Sequence, residues 1–474
     1  MPLSTTGAHA LVVPLSPVPQ PYTYAVPDAL DAVAVPGARV LVPFGRRRLT
    51  GVVVGRTDEV AEGITLKPVA DVLDAEAPAL PPALLRLTEW MASYYACSWG
   101  EVIRAALPAG TDVEGVRVLY RTDAPAAWRG DPLGRDLLVL LGQRNGNGLP
   151  LKEAEEELGA KLPATLLADL RTAGLLRIVE ETTDPRVRAK TARWLRIRTG
   201  VDPSAAPDEL RGLRQQMLVA ILAASTDRAL SQADALAASG ASSQTVQRLV
   251  ELGWVEAYDV EVERRPEAFD SAAPAPQRIA LHASQRAALE AVNAALSAQH
   301  SGTKKTETFL LHGVTGSGKT EVYLRALKAT LDAGRTGIVL VPEIALTPQT
   351  VRRFRAHFGD DVAVLHSRMS PGERYDAWRH LRAGRYRVAI GPRSAVLAPL
   401  ENVGLIVVDE EHEASYKQFD PAPRYHARDV AVMRAHLAGA VCVLGSATPS
   451  AESFVNAKRG KYTLLPMPER VPVP

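Results

Sequence analysis

Residues 313–320, Gly313-Val314-Thr315-Gly316-Ser317-Gly318-Lys319-Thr320, match the phosphate-loop pattern G-x-x-x-x-G-K-[ST] at every fixed position. The apolar run Phe309-Leu310-Leu311 precedes them, and Glu321-Val322-Tyr323-Leu324-Arg325-Ala326-Leu327 reads as a helix behind them. A strand, a glycine-rich turn and a helix in this order point to a parallel α/β sheet with an anion site at its C-terminal edge. The glycines let backbone N–H groups turn inward on a triphosphate, and the helix N-terminus adds partial positive charge. Gly313, Thr315, Gly316, Ser317 and Gly318 form the cradle. Lys319 is expected to reach the β- and γ-phosphates of ATP and Thr320 to ligate Mg²⁺. The bland alternative, a glycine-rich turn with a chance lysine, does not explain the flanking strand and helix.

From about residue 280 onward, short apolar strands alternate with helices. The strand candidates are Phe309–His312, Gly337–Val341, Val362–Leu365, Val388–Ile390, Leu405–Val408 and Val441–Leu444. Continuous apolar strands separated by helices predict a parallel sheet covered on both faces. The fifth candidate runs into Asp409-Glu410-Glu411-His412. Alone, such a cluster is an ordinary solvated loop. Paired with a phosphate loop it predicts Asp409 as a Mg²⁺ ligand and Glu410 as the base that activates water, with Lys319 the third catalytic residue. The sixth runs into Gly445-Ser446-Ala447-Thr448-Pro449-Ser450, whose hydroxyls can bond the acidic motif; alone it is a turn. His412, Ser446 and Thr448 are therefore candidates for coupling nucleotide state to a second ligand.

Upstream, β-like runs Ala10-Leu11-Val12-Val13-Pro14, Arg39–Phe44 and Leu49–Gly55 are punctuated by Pro and Gly, and an amphipathic helix follows near Pro82–Tyr95. Gly45-Arg46-Arg47-Arg48 joins two of the strands as a phosphate-contacting turn or a solvated hairpin tip. Between about 115 and 262 a weak repeat appears. Asp136–Leu141 recurs as Gln216–Leu222, and Leu170–Leu176 as Leu249–Val255. Each copy reads helix, turn, helix, Gly, strand, as in a winged helix, with Ser242-Ser243 opening a helix. A DNA-reading wing and a structural one look alike at this level. The expected layout is multidomain: a small β-rich domain (1–112), an α+β winged-helix region (113–264), a Ser/Ala/Pro linker (265–279) and a RecA-like P-loop lobe (280–474).

The 474 residues suit about three such domains. A net charge of +2 does not announce a nucleic-acid binder, so any DNA contact must come from local patches. Cys97 and Cys442 make neither a disulfide framework nor a zinc site. No apolar run approaches the ~18–20 residues of a membrane span and no secretory leader is evident, so a cytoplasmic location is expected.

The ordered set of motifs is similar to that of the bacterial replication-restart helicases (PriA, primosomal protein N′) of superfamily 2. The resemblance rests on the phosphate loop, Val341-Pro342-Glu343-Ile344-Ala345-Leu346-Thr347-Pro348-Gln349, His366-Ser367, Gly391-Pro392-Arg393-Ser394-Ala395, Asp409–His412, Ser415-Tyr416-Lys417-Gln418, Arg424-Tyr425-His426-Ala427-Arg428-Asp429 and Gly445–Ser450. It implies an ATP-dependent 3′→5′ DNA helicase that recognises stalled or branched forks, nucleoid-associated, and starts primosome assembly. The implied partners are forked and single-stranded DNA, single-strand-binding protein and primosome or helicase-loading proteins, with no membrane. It implies that Gln285 reads adenine and that His366, Ser367, Arg393 and Ser394 line a single-strand path. It also implies that the aromatic-rich loop 415–429 senses DNA, with Tyr416, Phe419 and Tyr425 to stack and Lys417, Arg424 and Arg428 to meet phosphates. The alternative is a basic loop packed on its own lobe. At the N-terminus it implies capture of a 3′ end by Tyr22, Thr23, Tyr24, Gly45 and Lys67.

Thr23 stands where that family carries Asp, Pro392 where Thr is usual, and the loop holds the longer Phe419-Asp420-Pro421-Ala422-Pro423. Within these residues there is no second motor lobe, no Gln-x-x-Gly-Arg-x-Gly-Arg motif and no cysteine-rich zinc region; zinc is expected only in such a C-terminal region. The expectation is a fragment whose own ATP hydrolysis is weak or absent. An ATPase-deficient, structure-specific fork-binding scaffold that recruits restart proteins is the competing reading.

Overall fold

The structure, a computed structural model, describes residues 7–45, 47–60, 63–74, 76–111, 115–124, 128–144, 146–182, 187, 189–264, 280–300 and 306–471. The expected linker 265–279 and Arg46 of the triple arginine lie outside them.

Five antiparallel strands open the chain: β1 (His9–Pro14), β2 (Tyr22–Ala25), β3 (Arg39–Phe44), β4 (Arg47–Thr57) and β5 (Asp71–Val72), in spatial order β2-β1-β4-β3-β5. Phe44 pairs with Arg47, and Gly45 after Phe44 takes φ of 61°, a left-handed conformation that favours glycine. Arg47 and Arg48 are thus strand residues, not part of the expected connecting loop. Alternation sends Ala10, Val12, Val40, Val42 and Val53 to one buried face and Val13, Val52 and Val54 to the other. The second face is covered by α1 (Pro82–Tyr94) and α2 (Trp99–Ala106). Ser98 starts α2 with a capping box, its hydroxyl accepting from Glu101 N while Glu101 returns the bond.

The repeat takes the form of two modules that share an element order, except that the second adds one short helix after its first strand. The first is β6 (Gly115–Arg121), α3 (Pro132–Gly142), β7 (Leu149–Pro150), α4 (Leu151–Leu158), α5 (Ala164–Thr172) and β8 (Leu176–Thr182). The second is β9 (Thr191–Ile197), α6 (Ala206–Glu209), α7 (Leu213–Ala224), β10 (Ala229–Ser231), α8 (Gln232–Ser239), α9 (Ser243–Glu251) and β11 (Val255–Glu261). The sheets are β7-β6-β8 and β10-β9-β11. Gly174 and Gly253 turn the last helix into the last strand at φ of 70° and 79°. The leading strand and the short middle strand of each module were not expected; β7 and β10, two and three residues long, are too brief to show a period. The second module, together with residues 369–376, is a compact unit of its own; the other described residues form another.

The third region comprises α10 (Ala283–His300), β12 (Thr308–Gly313), α11 (Lys319–Asp332), β13 (Thr336–Leu340), α12 (Pro348–Phe358), β14 (Val362–Val364), α13 (Pro371–Arg382), β15 (Val388–Gly391), β16 (Val403–Val408), α14 (Ala427–Ala438), β17 (Val441–Ser446), α15 (Ala451–Lys458) and β18 (Thr463–Met467). Its seven strands are all parallel, in order β14-β15-β13-β16-β17-β12-β18. Every residue of β16 and β17 is buried, as expected of central strands covered on both faces. All six strand candidates are present. The seventh, β18, was not anticipated; it is an edge strand and tolerates Pro466 for that reason. The core is continuous from α1 and α2 into α14 and the sheet.

Candidate nucleotide site and the loops around it

The phosphate loop leaves β12 and enters α11 through Gly316 and Gly318, both in the left-handed region at φ of 82° and 80°. A Cβ on Gly318 would lie 2.1 Å from Gln285 Nε2, so that position admits glycine alone. Lys319 is buried; its Nζ donates to Gly313 O at 2.9 Å and stands 3.7 Å from Glu410 Oε1. Ser317 Oγ is buried without a hydrogen-bond partner, a polar atom suited to an anion or its metal. Gln285 does not fit the expected role of adenine reader in this conformation. It is buried, its Nε2 donates to Ser317 O at 3.0 Å and its Oε1 accepts from His282 N at 2.8 Å, so it braces the loop from behind.

Asp409 follows β16, and Tyr323 of α11 donates to its Oδ1 at 3.1 Å. Gly445 makes room for that phenol: a Cβ there would lie 1.6 Å from the Tyr323 hydroxyl oxygen. Burial, reinforced by neighbouring Glu410, raises the Asp409 carboxyl from 3.8 to about 6 against the opposing pull of Tyr323 and Lys319. A half-buried carboxylate held ionised against its surroundings is a fitting ligand for a divalent cation, with Thr320 at the head of α11 to complete the pair. Glu410 itself sits at φ of 45°, an uncommon backbone for a residue with a side chain.

The Asp409 shift has a measurable sign. The folded chain binds more protons than the unfolded chain between pH 4 and 6, so this residue makes stability fall as pH rises through that window. Asp409→Asn should be more stable than the parent above pH 6, by on the order of 2–3 kcal/mol. The difference should vanish near pH 4. Thermal unfolding of the two proteins across this range checks it; a pH-independent difference would contradict the assignment.

The acidic motif is wired to its neighbours through Glu411, which has no exposed surface. Its carboxylate accepts from Arg428 Nη1 (3.2 Å), Ser450 N (2.7 Å), Ser450 Oγ (2.9 Å) and Ser453 Oγ (2.8 Å). One side chain thus ties together the loops after β16 and β17 and the start of α14. His412 Nδ1 is 2.7 Å from Ser446 Oγ and 3.7 Å from Glu410 Oε2; Thr448 Oγ1 lies 3.4 Å from Nε2 of the same ring. Glu411 and Tyr323 were not singled out from the sequence. Tyr323 had a signal, one helical turn beyond Lys319 on the same face; Glu411 had none.

Several expected DNA contacts need correction. Tyr416 and Tyr425 are each 1% exposed, members of the main core. The Tyr416 hydroxyl donates to Asp409 O at 2.7 Å. Neither ring is open to a base. Arg428 is buried and engaged with Glu411, Asp429 and Ser450. Tyr24 is likewise a core residue, bonded to Pro43 O at 3.2 Å, with burial raising its phenol to about 12. Other residues stay accessible. Phe419 is 72% exposed, Arg424 and Ser394 are exposed, and Arg393 and Lys417 are half-buried, Arg393 Nη1 lying 3.4 Å from Lys417 O. His366 and Ser367 follow β14, where the Ser367 hydroxyl bonds Glu343. At the N-terminal sheet, the Tyr22 ring meets Phe44 edge-on at 5.3 Å and Lys67 Nζ lies 3.5 Å from Gly45 O. Thr23 pairs with Leu11 and alternates to the opposite face from the two tyrosines, so the triplet does not form one patch.

Comparison with known proteins gives two family matches: the 3′ DNA-binding domain of PriA over residues 10–108 and the DEAD/DEAH box helicase domain over 285–456. The helicase match implies use of ATP and Mg²⁺, and the two together support DNA binding. Replication restart protein PriA of Bacillus subtilis is 34% identical over 473 residues, covering 96% of this chain and 54% of that protein. The protein of the same description from Synechocystis is 37% identical, covering 95% and 53%. That of Haemophilus influenzae is 31% identical, covering 97% and 51%. The chain spans about half the length of these relatives. Among solved structures, RecG bound to a three-way DNA junction superposes on 41% of this chain and 25% of its own at TM-score 0.32 and 24% identity, too weak a likeness to carry an argument.

Proposed function

Since the chain belongs to the family of replication restart protein PriA, along the half of that protein's length it spans, we propose that it is the fork-binding and ATP-binding part of a 3′→5′ DNA helicase that recognises stalled or branched forks and starts primosome assembly. The observation that carries this reading is the convergence of Lys319, Asp409 and Glu410 at the C-terminal ends of β12 and β16. In a parallel sheet that edge is where phosphates bind.

Lys319 gives up Gly313 O and the Glu410 carboxylate to meet the β- and γ-phosphates. Release of Glu410 from the lysine frees it to orient and deprotonate the attacking water. Thr320 and Asp409 would hold Mg²⁺, which neutralises charge on the phosphates when bound. Tyr323 holds the Asp409 carboxylate in place; its own phenol is pushed far above the usual range by burial, then by the Asp409 charge, so it remains a donor. His412, Ser446 and Thr448 form the link through which the loop after β17 senses Glu410. The five-stranded domain supplies 3′-end contact through Tyr22, Gly45 and Lys67, and Arg393, Ser394, Phe419 and Arg424 the track beside the lobe. A cytoplasmic site of action at forks, with single-strand-binding and helicase-loading proteins as partners, follows from the same reading. Among the described residues no helix is long and apolar enough to cross a membrane.

The test is ATP hydrolysis by this chain, with and without forked DNA, beside a protein that adds a second motor lobe. Fork-stimulated turnover that needs the second lobe is the expected result, because an arginine supplied by a partner lobe contributes ~10³–10⁵ in rate in related phosphoryl transfers. Fork binding without turnover in either protein would replace the helicase reading by the scaffold.

A further inference from the structure

We propose that the aromatic cluster at the end of α1, built from Trp90, Tyr94 and Tyr95 and faced by Lys417, is a stacking platform for single-stranded DNA between the N-terminal domain and the motor lobe. The proposal rests on the DNA-binding reading above and adds to the expected Lys417 three aromatic residues to which the sequence assigned no role.

Arg86, Trp90 and Tyr94 recur every fourth residue and so form one stripe along the helix. Trp90 and Tyr94 stack at 4.7 Å with an interplanar angle of 20°, and Tyr94 remains 61% exposed. A large ring supported flat from behind and open in front is what a base needs to stack on. Tyr95 closes the cluster edge-on, 5.0 Å from Tyr94 and 6.2 Å from Trp90. The chain leaves the helix through Ala96 at φ of 49°, an uncommon conformation for alanine, which keeps both tyrosines at the helix end.

The cluster abuts the loop that the sequence nominated for sensing DNA. His426 N donates to the Tyr95 hydroxyl at 3.1 Å, and Lys417 Nζ sits 5.6 Å over the Tyr95 ring. Lys417 Nζ also donates to the carbonyl of exposed Arg424 at 2.6 Å. A cation beside stacked rings is a recurring chemistry of single-strand binding without sequence preference. Of the nearby acids, Asp429 is held by Arg428 at 3.0 Å, and Glu89 is half-buried on α1. The occupant with this complementarity is a flexible polyanion with flat apolar bases. Duplex DNA, whose bases are already stacked, does not fit.

The experiment measures binding of the 474-residue chain to a fluorescein-labelled oligothymidylate and to a blunt duplex by polarisation. Photo-crosslinking with iodouracil placed along the single strand is run in parallel. Tyr94→Ala should weaken single-strand binding by about tenfold, the scale of one lost base stack. Tyr94→Phe should bind as the parent does, blunt-duplex affinity should not move, and a crosslink should map to Tyr94 or Trp90. Tyr94 is exposed, so the variant retains the fold; an unchanged unfolding temperature checks this. Parental single-strand affinity in Tyr94→Ala, or equal loss for single strand and duplex, overturns the platform alone. A parent chain with no single-strand affinity overturns the DNA-binding reading with it.

Discussion

Lys319→Ala, in a protein carrying both motor lobes, is expected to lower ATP turnover by at least ~10²–10³-fold, the scale of removing one group aimed at developing charge. Fork affinity should stay within about twofold, because no DNA contact runs through the lysine. Steady-state hydrolysis and fork binding measured on the same preparation check the two halves of this expectation. The separation follows from geometry. Lys319 is buried, its Nζ contacts Gly313 O and Glu410, and the cations expected to meet DNA, exposed Arg424 and half-buried Arg393, lie on other loops. Equal loss of hydrolysis and fork binding would mean that the phosphate loop also organises the DNA track.

Glu411→Ala should destabilise the chain by about 3–5 kcal/mol, the cost of leaving a buried guanidinium short of its partner. At this size that is about 3–5 °C in unfolding temperature. Glu411→Gln keeps an acceptor for Ser450 N and should lose roughly half as much. The carboxylate has no exposed surface, and Arg428, Ser450 and Ser453 all donate to it. Two-state thermal unfolding of parent and variants decides the matter. A surface-like effect below about 0.5 kcal/mol would mean that this hub contributes little.

The parallel sheet was legible because its central strands are continuous apolar runs ended by glycine, acid or serine clusters. β18 was not, since Thr463-Leu464-Leu465-Pro466-Met467 carries a proline that reads as a break and is tolerated only because the strand is at an edge. β2, four residues long, shows no usable period. The phosphate loop and the acidic motif announced themselves by spacing. The aromatic-rich loop misled in part. Aromatic residues in a Pro-rich connection look exposed, as loops are in general. Here Tyr416 and Tyr425 are buried in the core, Tyr416 bonded to Asp409 O, and only Phe419 of the three is open. Glu411 was hidden among three consecutive acids; what distinguishes it is three-dimensional, four donors from elements far along the chain.

The strand that launches the phosphate loop, β12 at residues 308–313, lies between β17 at 441–446 and β18 at 463–467. Its two hydrogen-bonding neighbours are therefore the last two strands of the sheet to be synthesised. A nascent chain emerging residue by residue holds β13, β15 and β16 together before β12 has anything to pair with, and non-local parallel pairing is slow to begin. The ATP site should consequently be the latest part of the lobe to mature on the ribosome. Nucleotide cannot stabilise the growing domain until the segment ending at Met467 has cleared the exit tunnel.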